Sequence, residues 1–310
     1  MVCVCYNQSR YVTQALDSIA EQTYKSMQVI IIDNGSTDEL RYIIQKWIKK
    51  NKDDRYEFYT FEKNVGVCKA LNFALRKARG EFFGMMAADD VLIPCKTETL
   101  LEELKKRGED VAIAYGDAVL IGDDGNYSDF LGNPVSRPIT FLECANLSAE
   151  DLQSGEVFKA LLENNFLHNL ASLIRKNCIF EVGLYDEKLA YEDWDMNLRL
   201  ARKYRVVYVP KVLAKYRRHS RSYSKDWGKN TKLSISTIRT FLKHYPCLKD
   251  IDAVIVRKVQ GELAKLLKAD IVRFLYGCLL VMYETGDIRF FSFIKDAIKR
   301  KISGKSAPYG

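Results

Sequence analysis

No stretch of this 310-residue chain is apolar enough for long enough to cross a bilayer. The most apolar piece, Ile271 to Met282, contains Arg273 and is shorter than the ~18 residues a span requires. No Gly-x-Gly-x-x-Gly follows any candidate strand, which excludes a nicotinamide-dependent dehydrogenase, and Gly304-Lys305-Ser306 lacks the earlier glycine and strand of a phosphate loop. The eight cysteines include no Cys-x-x-Cys pair. Most of them, such as Cys3, Cys5, Cys178 and Cys278, lie inside apolar runs, so they read as reduced core residues and not as zinc or redox groups. No cleavable signal precedes the first strand, because Met1 opens directly into it, and the chain is expected in the cytoplasm. Finger, basic-zipper and single-strand-binding motifs are also missing, so nucleic acid is not an expected partner.

What is present is a core-forming composition, with 47% apolar residues and a net charge of +8. That charge is concentrated in one third of the chain, in Arg199, Arg202, Lys203, Arg205, Lys211, Lys215, Arg217, Arg218, Arg221, Lys225 and Lys229. Such an excess calls for an anionic partner, and phosphate on a small molecule or lipid fits best, although any single residue of the set can simply be solvated. Met1 to Cys5 reads as a short strand followed by a helical pattern at Val12, Ala15, Leu16 and Ile19. Gln28 to Ile32 is a β-branched run that ends on Asp33-Asn34-Gly35-Ser36-Thr37-Asp38. A helix carrying Ala70, Leu71, Ala74, Leu75 and Ala78 stops at Gly80. The apolar stretch from Gly80 then delivers Asp89 and Asp90 where a buried strand should end. Alternating strand and helix predict an α/β fold with a right-handed βαβ start.

Acidic residues at strand ends fall where open α/β sheets bind ligands. Unpaired carboxylates there suit a hard cation, Mg²⁺ or Mn²⁺, although turns and caps also use Asp. A second acidic group, Tyr191-Glu192-Asp193-Trp194-Asp195, opens a helix. Helix-dipole capping accounts for part of it. Three acids around a Trp exceed what a cap needs, and a carboxylate beside an aromatic ring holds its proton more tightly, as a general base should. Asp193 is the candidate base, with Glu192 and Trp194 on the acceptor side.

In this order the elements resemble the family-2 glycosyltransferases, the inverting group with the GT-A fold. The resemblance runs over roughly the first 225 residues. It is carried by Cys5-Tyr6-Asn7, Asp33-Asn34-Gly35-Ser36-Thr37-Asp38, Asn64-Val65-Gly66 with Ala70-Leu71-Asn72, Asp89-Asp90, Glu192-Asp193-Trp194-Asp195 and Tyr216-Arg217-Arg218-His219. It implies a nucleotide-binding mixed sheet flanked by helices, and a metal-dependent transfer of a hexosyl or N-acetylhexosaminyl group from a nucleotide-sugar, a UDP-sugar by the family's habit. The acceptor hydroxyl would belong to a saccharide or lipid-linked molecule in surface polysaccharide or glycoconjugate synthesis. Carried over residue by residue, Tyr6 packs on the base, Asp33 accepts a hydrogen bond from it, and Asn7, Asn64 and Lys69 lie near the nucleotide. Asp89, Asp90 and His219 serve ribose and cation, while Arg217 and Arg218 hydrogen-bond the diphosphate. Ala87 stands where many members carry a further Asp. The alternatives are an inactive scaffold of the same fold and a sugar nucleotidyltransferase.

Three regions are expected: 1–110 for the nucleotide-sugar, 111–228 for acceptor and catalysis, and 229–310 as a helical extension. Val111 to Ile121 reads as strand, Asp123-Asp124-Gly125-Asn126 as a turn, and Gly132 to Ser154 as a long loop shaping the acceptor cleft with Asn165, His168 and Asn169. His168 is a candidate acceptor contact, against the plainer reading of a structural histidine. The last helix pairs Phe290, Phe291, Phe293, Ile294, Ile298 and Ile302 with Lys295, Lys299, Arg300 and Lys301. It is a candidate contact with the inner face of a membrane or, equally, a helix packed on its neighbours; a homo-oligomer is the other candidate assembly.

Overall fold

The computed structural model describes residues 1–147, 152, 157–220, 222, 230–245 and 249–303. Arg221, Lys225, Lys229, Gly304-Lys305-Ser306 and much of the end of the 132–154 loop lie outside them. The chain divides into two compact units: Met1–Glu187 with Glu192–Ser222, and Lys188–Tyr191 with Tyr223–Gly310. The regions 1–110 and 111–222 therefore share one unit, and the first sheet hands strands to the second within it.

The first unit begins β1 (Val2–Cys5), α1 (Val12–Ala20), β2 (Val29–Asp33), α2 (Leu40–Asn51), β3 (Tyr56–Thr60) and α3 (Val67–Lys77). Every residue of β2 is buried, as a two-sided parallel strand requires. The stretch after Gly80 is not one strand. It breaks into β4 (Phe82–Phe83), β5 (Met85–Ala87) and β6 (Val91–Leu92), followed by α4 (Lys96–Lys106). β5 pairs parallel with β1, giving the all-parallel order β3-β2-β1-β5. The chain leaves β1 towards β2 on one side and returns at β5 on the other, so the carboxyl ends of β1 and β5 flank a topological switch point. Tyr6 follows one of these ends and Asp89 the other.

The second sheet takes β7 (Val111–Ile121), β8 (Ser172–Arg175) and β9 (Arg205–Arg217). Between these strands lie α5 (Phe141–Cys144), α6 (Val157–Glu163), α7 (Lys176–Val182) and α8 (Asp193–Lys203). The strand order is β4-β8-β7-β9-β6, with only the β7–β9 pair parallel. β7 has the bounds its sequence predicts. The 13-residue β9 has no counterpart in the sequence reading, because Lys211, Lys215 and Arg217 break its apolar alternation and Pro210 argues against a strand. Its pairing with β7 shifts register between Tyr115 and Asp117. Gly116 sits at that shift, and a β-carbon there would lie 2.7 Å from the Lys211 carbonyl oxygen.

The second unit consists of helices: α9 (Thr231–Leu242), α10 (Lys249–Ala269), α11 (Ile271–Thr285) and α12 (Ile288–Ser303). Lys188–Tyr191 groups with it, through the Tyr191 hydroxyl on Thr240 Oγ1 at 2.9 Å and Ala190 N–H on Ser236 Oγ at 2.8 Å. Phe290, Phe293 and Ile294 of α12 are buried. Part of the apolar face of α12 is thus used in packing, while Ile298 on it is 36% exposed. Among the described residues no helix is long and apolar enough to cross a membrane.

Candidate active site

At the end of β1 the chain turns through Asn7 at φ 53°. Asn7 is a strut: its N–H donates to Ser36 Oγ (3.0 Å) and its Oδ1 accepts from Thr37 N–H (2.8 Å), tying the β1 loop to the β2 loop. Tyr6 beside it is 42% exposed, a free aromatic face at the switch point. Asp33 differs from expectation. Its side chain has no exposed surface, Oδ1 accepts from Ser36 N–H (2.8 Å), and Oδ2 takes Arg41 Nε at 2.9 Å. A base cannot reach this carboxylate in the arrangement seen; it braces the loop instead. Asn34 continues the brace, donating to Asn64 Oδ1 (3.2 Å) and accepting from Val65 N–H (3.1 Å). Gly35, at φ +77°, lets this loop close on residue 63, where a β-carbon would come within 2.3 Å of the Lys63 carbonyl carbon. Asn64 and Lys69 are exposed at and just inside the start of α3.

Asp89 and Asp90 are adjacent in sequence and opposite in role. Asp89 Oδ2 lies 3.0 Å from His219 Nε2. Asp90 is 4% exposed and points inward, its Oδ1 accepting from Arg217 N–H at 2.9 Å. Burial, reinforced by the neighbouring Asp89 charge, raises the proton affinity of Asp90. Asp90 is thus no metal ligand here, because its carboxylate is already engaged with backbone inside the protein. Asp89 and His219 fit a divalent cation by donor type: a carboxylate oxygen and an imidazole nitrogen, here 3.0 Å apart and in contact with each other, are a mixed O/N set that Mn²⁺ accepts. Among the described residues no group of three or more His, Cys, Asp or Glu could hold an ion, so a bound diphosphate would have to complete the shell.

The arginines before His219 are also turned inward. Arg217 donates through Nε to the Asp89 carbonyl (2.7 Å), through Nη1 to Gly122 (2.8 Å) and through Nη2 to Gln14 Oε1 (2.6 Å). It lies over the Tyr11 ring, 4.9 Å from the centroid. Arg218 donates to the Phe130 carbonyl (2.8 Å) and stacks 4.3 Å from the Phe130 ring. Both are 2% exposed. The direct diphosphate contact expected of them is replaced by a scaffolding one: they hold Asp89, the 122–130 loop and His219 in place. Tyr11, which the sequence reading passed over, stacks on His219 at 5.1 Å and hydrogen-bonds Asp123.

The other acid pair opens α8. Asp193 Oδ2 accepts from Asn165 Nδ2 (3.0 Å) and Oδ1 from Trp194 N–H (2.7 Å). Desolvation raises the proton affinity of Asp193, while burial and then repulsion from Asp193 push Glu192 up to about 8. At neutral pH the pair therefore keeps a proton, mainly on Glu192. Trp194 is an anchor and not an acceptor platform: it is 8% exposed and its Nε1–H donates to the Leu161 carbonyl at 2.6 Å.

One short segment joins the two acid pairs. Asn165 holds Asp193, while His168 packs on Tyr216 (4.4 Å) and Phe141 (4.9 Å). Burial and the nearby Arg218 charge push His168 down to about 4, against the pull of Asp89. Asn169 Nδ2 reaches Met85 Sδ in β5 at 3.8 Å. Three peptide steps span at most about 11 Å, so one short segment runs from the residue that holds Asp193 to the histidine that feels the Asp89 charge. His168 is neutral and wedged between rings, with Nδ1 accepting from Leu170 N–H (3.3 Å), which is the structural reading of that residue. A cavity of about 1030 Å³ lies elsewhere, at the amino ends of the first sheet between Gln28, Arg79 and Gly84. Neither acid pair lines it.

Residues 1–146 match the family described as Glycosyl transferase family 2. An uncharacterized glycosyltransferase of Rickettsia prowazekii is 25% identical over 300 residues, covering 96% of this chain and 84% of its own length. The chain spans only 34% of the length of longer Rickettsia relatives. Among solved structures, a mannosyltransferase from Pyrobaculum calidifontis in complex with GDP-Man and Mn²⁺ superposes with a TM-score of 0.60 at 17% identity, over 99% of this chain and 81% of that one. TarS 1–349 of S. aureus in complex with UDP superposes at 0.58 with 15% identity, over 98% of this chain and 91% of that one. At these identities the structures establish the GT-A fold.

Proposed function

Proceeding from the chain's membership of glycosyltransferase family 2, we propose that it moves a sugar from a nucleoside-diphosphate donor, a UDP-sugar in the first instance, to an acceptor hydroxyl with inversion. The observation that carries this reading is the 165–168 segment, which holds Asp193 at one end and lies within reach of the Asp89 charge at the other, so that Asp89–His219 and Asp193 are read as serving one cleft. The donor's base stacks on Tyr6. Asp89 and His219 would hold a divalent cation, which supplies neutralising charge for the leaving diphosphate.

Asp193 takes the proton of the acceptor hydroxyl as its oxygen bonds to the anomeric carbon. The bond from that carbon to phosphate breaks, and its electron pair leaves with the diphosphate. Asn165 holds the carboxylate in line, and protonated Glu192 spares it a second negative charge. A single base that takes the acceptor's proton suits a single displacement, which inverts configuration. The acceptor would be a saccharide or lipid-linked hydroxyl of a surface glycoconjugate.

The test is to incubate the protein with UDP-GlcNAc, UDP-glucose or GDP-mannose and Mn²⁺ and to identify the nucleotide released. Nucleoside diphosphate is expected, with acceptor or with water. Pyrophosphate release would mark a nucleotidyltransferase instead, and nucleotide binding without release a scaffold.

A further inference from the structure

We propose that α11 is the surface through which two copies of this chain associate. Val272, Leu275, Tyr276, Leu279 and Tyr283 recur at helical spacing on one stripe of α11, and each is between 46% and 88% exposed. The opposite stripe, Phe274, Gly277, Cys278 and Val281, is buried within the helical unit. An amphipathic helix normally leaves a polar face to water; this one is apolar on both sides.

With a fully exposed aromatic side chain offering about 150–250 Å² and an aliphatic one less, the five residues present on the order of 500 Å² of mostly apolar surface. That lies at the upper end of the ~300–600 Å² patches of monomers, and Ile271 and Met282, 49% and 37% exposed, extend it towards the ~800 Å² each partner gives to a standard interface. The composition also fits a protein partner, since Tyr is enriched in interface cores and charge is depleted there.

Charge decides between a second copy and a lipid surface. Helices that rest on anionic membranes carry Lys and Arg around the apolar face. α11 contains no lysine, and its one arginine, Arg273, is half-buried and paired with Asp270 at 3.4 Å. The exposed cations Lys295 and Lys299 sit on α12, whose own Phe290, Phe293 and Ile294 are turned inward. A neutral stripe is complementary to itself, and a two-fold pairing would cover it on both copies at once.

Size-exclusion chromatography with light scattering at about 10 µM, a concentration at which a standard-size interface is populated, should give twice the chain mass. The double substitution Leu279→Glu with Tyr283→Glu should give the single-chain mass with unchanged circular dichroism and melting temperature, because both residues lie on the surface. A monomeric wild type, or a dimer that survives both substitutions, overturns the proposal. So does flotation of a monomeric wild type with phosphatidylcholine–phosphatidylglycerol vesicles that the double variant loses, which would assign the stripe to lipid.

Discussion

Asp89–Asp90 and Glu192–Asp193 are both neighbouring acids with a member whose proton affinity is raised by burial, yet the groups that face them differ. Around the first pair the protein places His219, the Arg217 backbone N–H and the Arg217 guanidinium against the Asp89 carbonyl. Around the second, the donors among the described residues are neutral, Asn165 and the Trp194 N–H. In the first pair Asp89 meets an imidazole while Asp90 is held inside by backbone. In the second, desolvation raises the proton affinity of both members, which suits one of them to act as a base. Two acids in a row thus mean little until the groups facing them are known.

The most severe way to break this contrast is Asp193→Asn. General bases contribute about 10²–10⁴ in rate, so transfer should fall by about three orders of magnitude while UDP still raises the melting temperature as in the wild type. Equal loss of transfer and UDP binding would remove Asp193 from the acceptor side. At the other pair, His219→Ala should lower turnover by about 10²-fold and raise the Mn²⁺ concentration needed for half-activity, since a ligand is lost from a set the diphosphate must complete. Full activity of the wild type in excess EDTA would show that Asp89–His219 serves no cation.

Stability separates the pairs further. Arg217→Met leaves buried carbonyls of Asp89 and Gly122 without a donor and should cost about 3 kcal/mol in a denaturant titration. A loss confined to activity would return Arg217 to the diphosphate. The last contrast belongs to Glu192→Gln. In the folded chain Glu192 is raised from 4.5 to about 8, so the unfolded chain gives up this proton first. Stability is then lost as pH rises through that window and the penalty is complete above it. The glutamine variant, neutral throughout, should gain up to roughly 4 kcal/mol over wild type as pH rises from 5 to 8.5. Parallel curves for the two proteins would mean that Glu192 is ordinary.

Several particulars were legible without coordinates. β2, β7 and α3 follow from β-branched runs and helical spacing, and the positions of Asp89 and Asp193 follow from where those elements stop. β9 was hidden because a strand lying partly at the surface may hold lysines on its outer positions, and its partner β7 is more than 80 residues away in sequence. The division of the 80–92 stretch among two sheets was equally hidden, since periodicity reports burial and not the identity of the neighbouring strand. Arg217 and Arg218 read as phosphate binders through the family resemblance and the chemistry of arginine; their carbonyl partners at Gly122 and Phe130 belong to a loop that sequence could not fold back onto them.

Local patterning by itself determined the alternation of strand and helix, the acidic strand ends and the acid-rich start of α8, because those depend on residues within one or two turns of each other. Only the tertiary structure decided which of those acids meet a histidine, which are buried with a raised proton affinity and which merely brace a loop. Asp33 shows why: its carboxylate looks available until Ser36 and Arg41 close over it. Proton affinity and access are set by desolvation and by charges brought near through folding, and neither is encoded at the position of the acid itself.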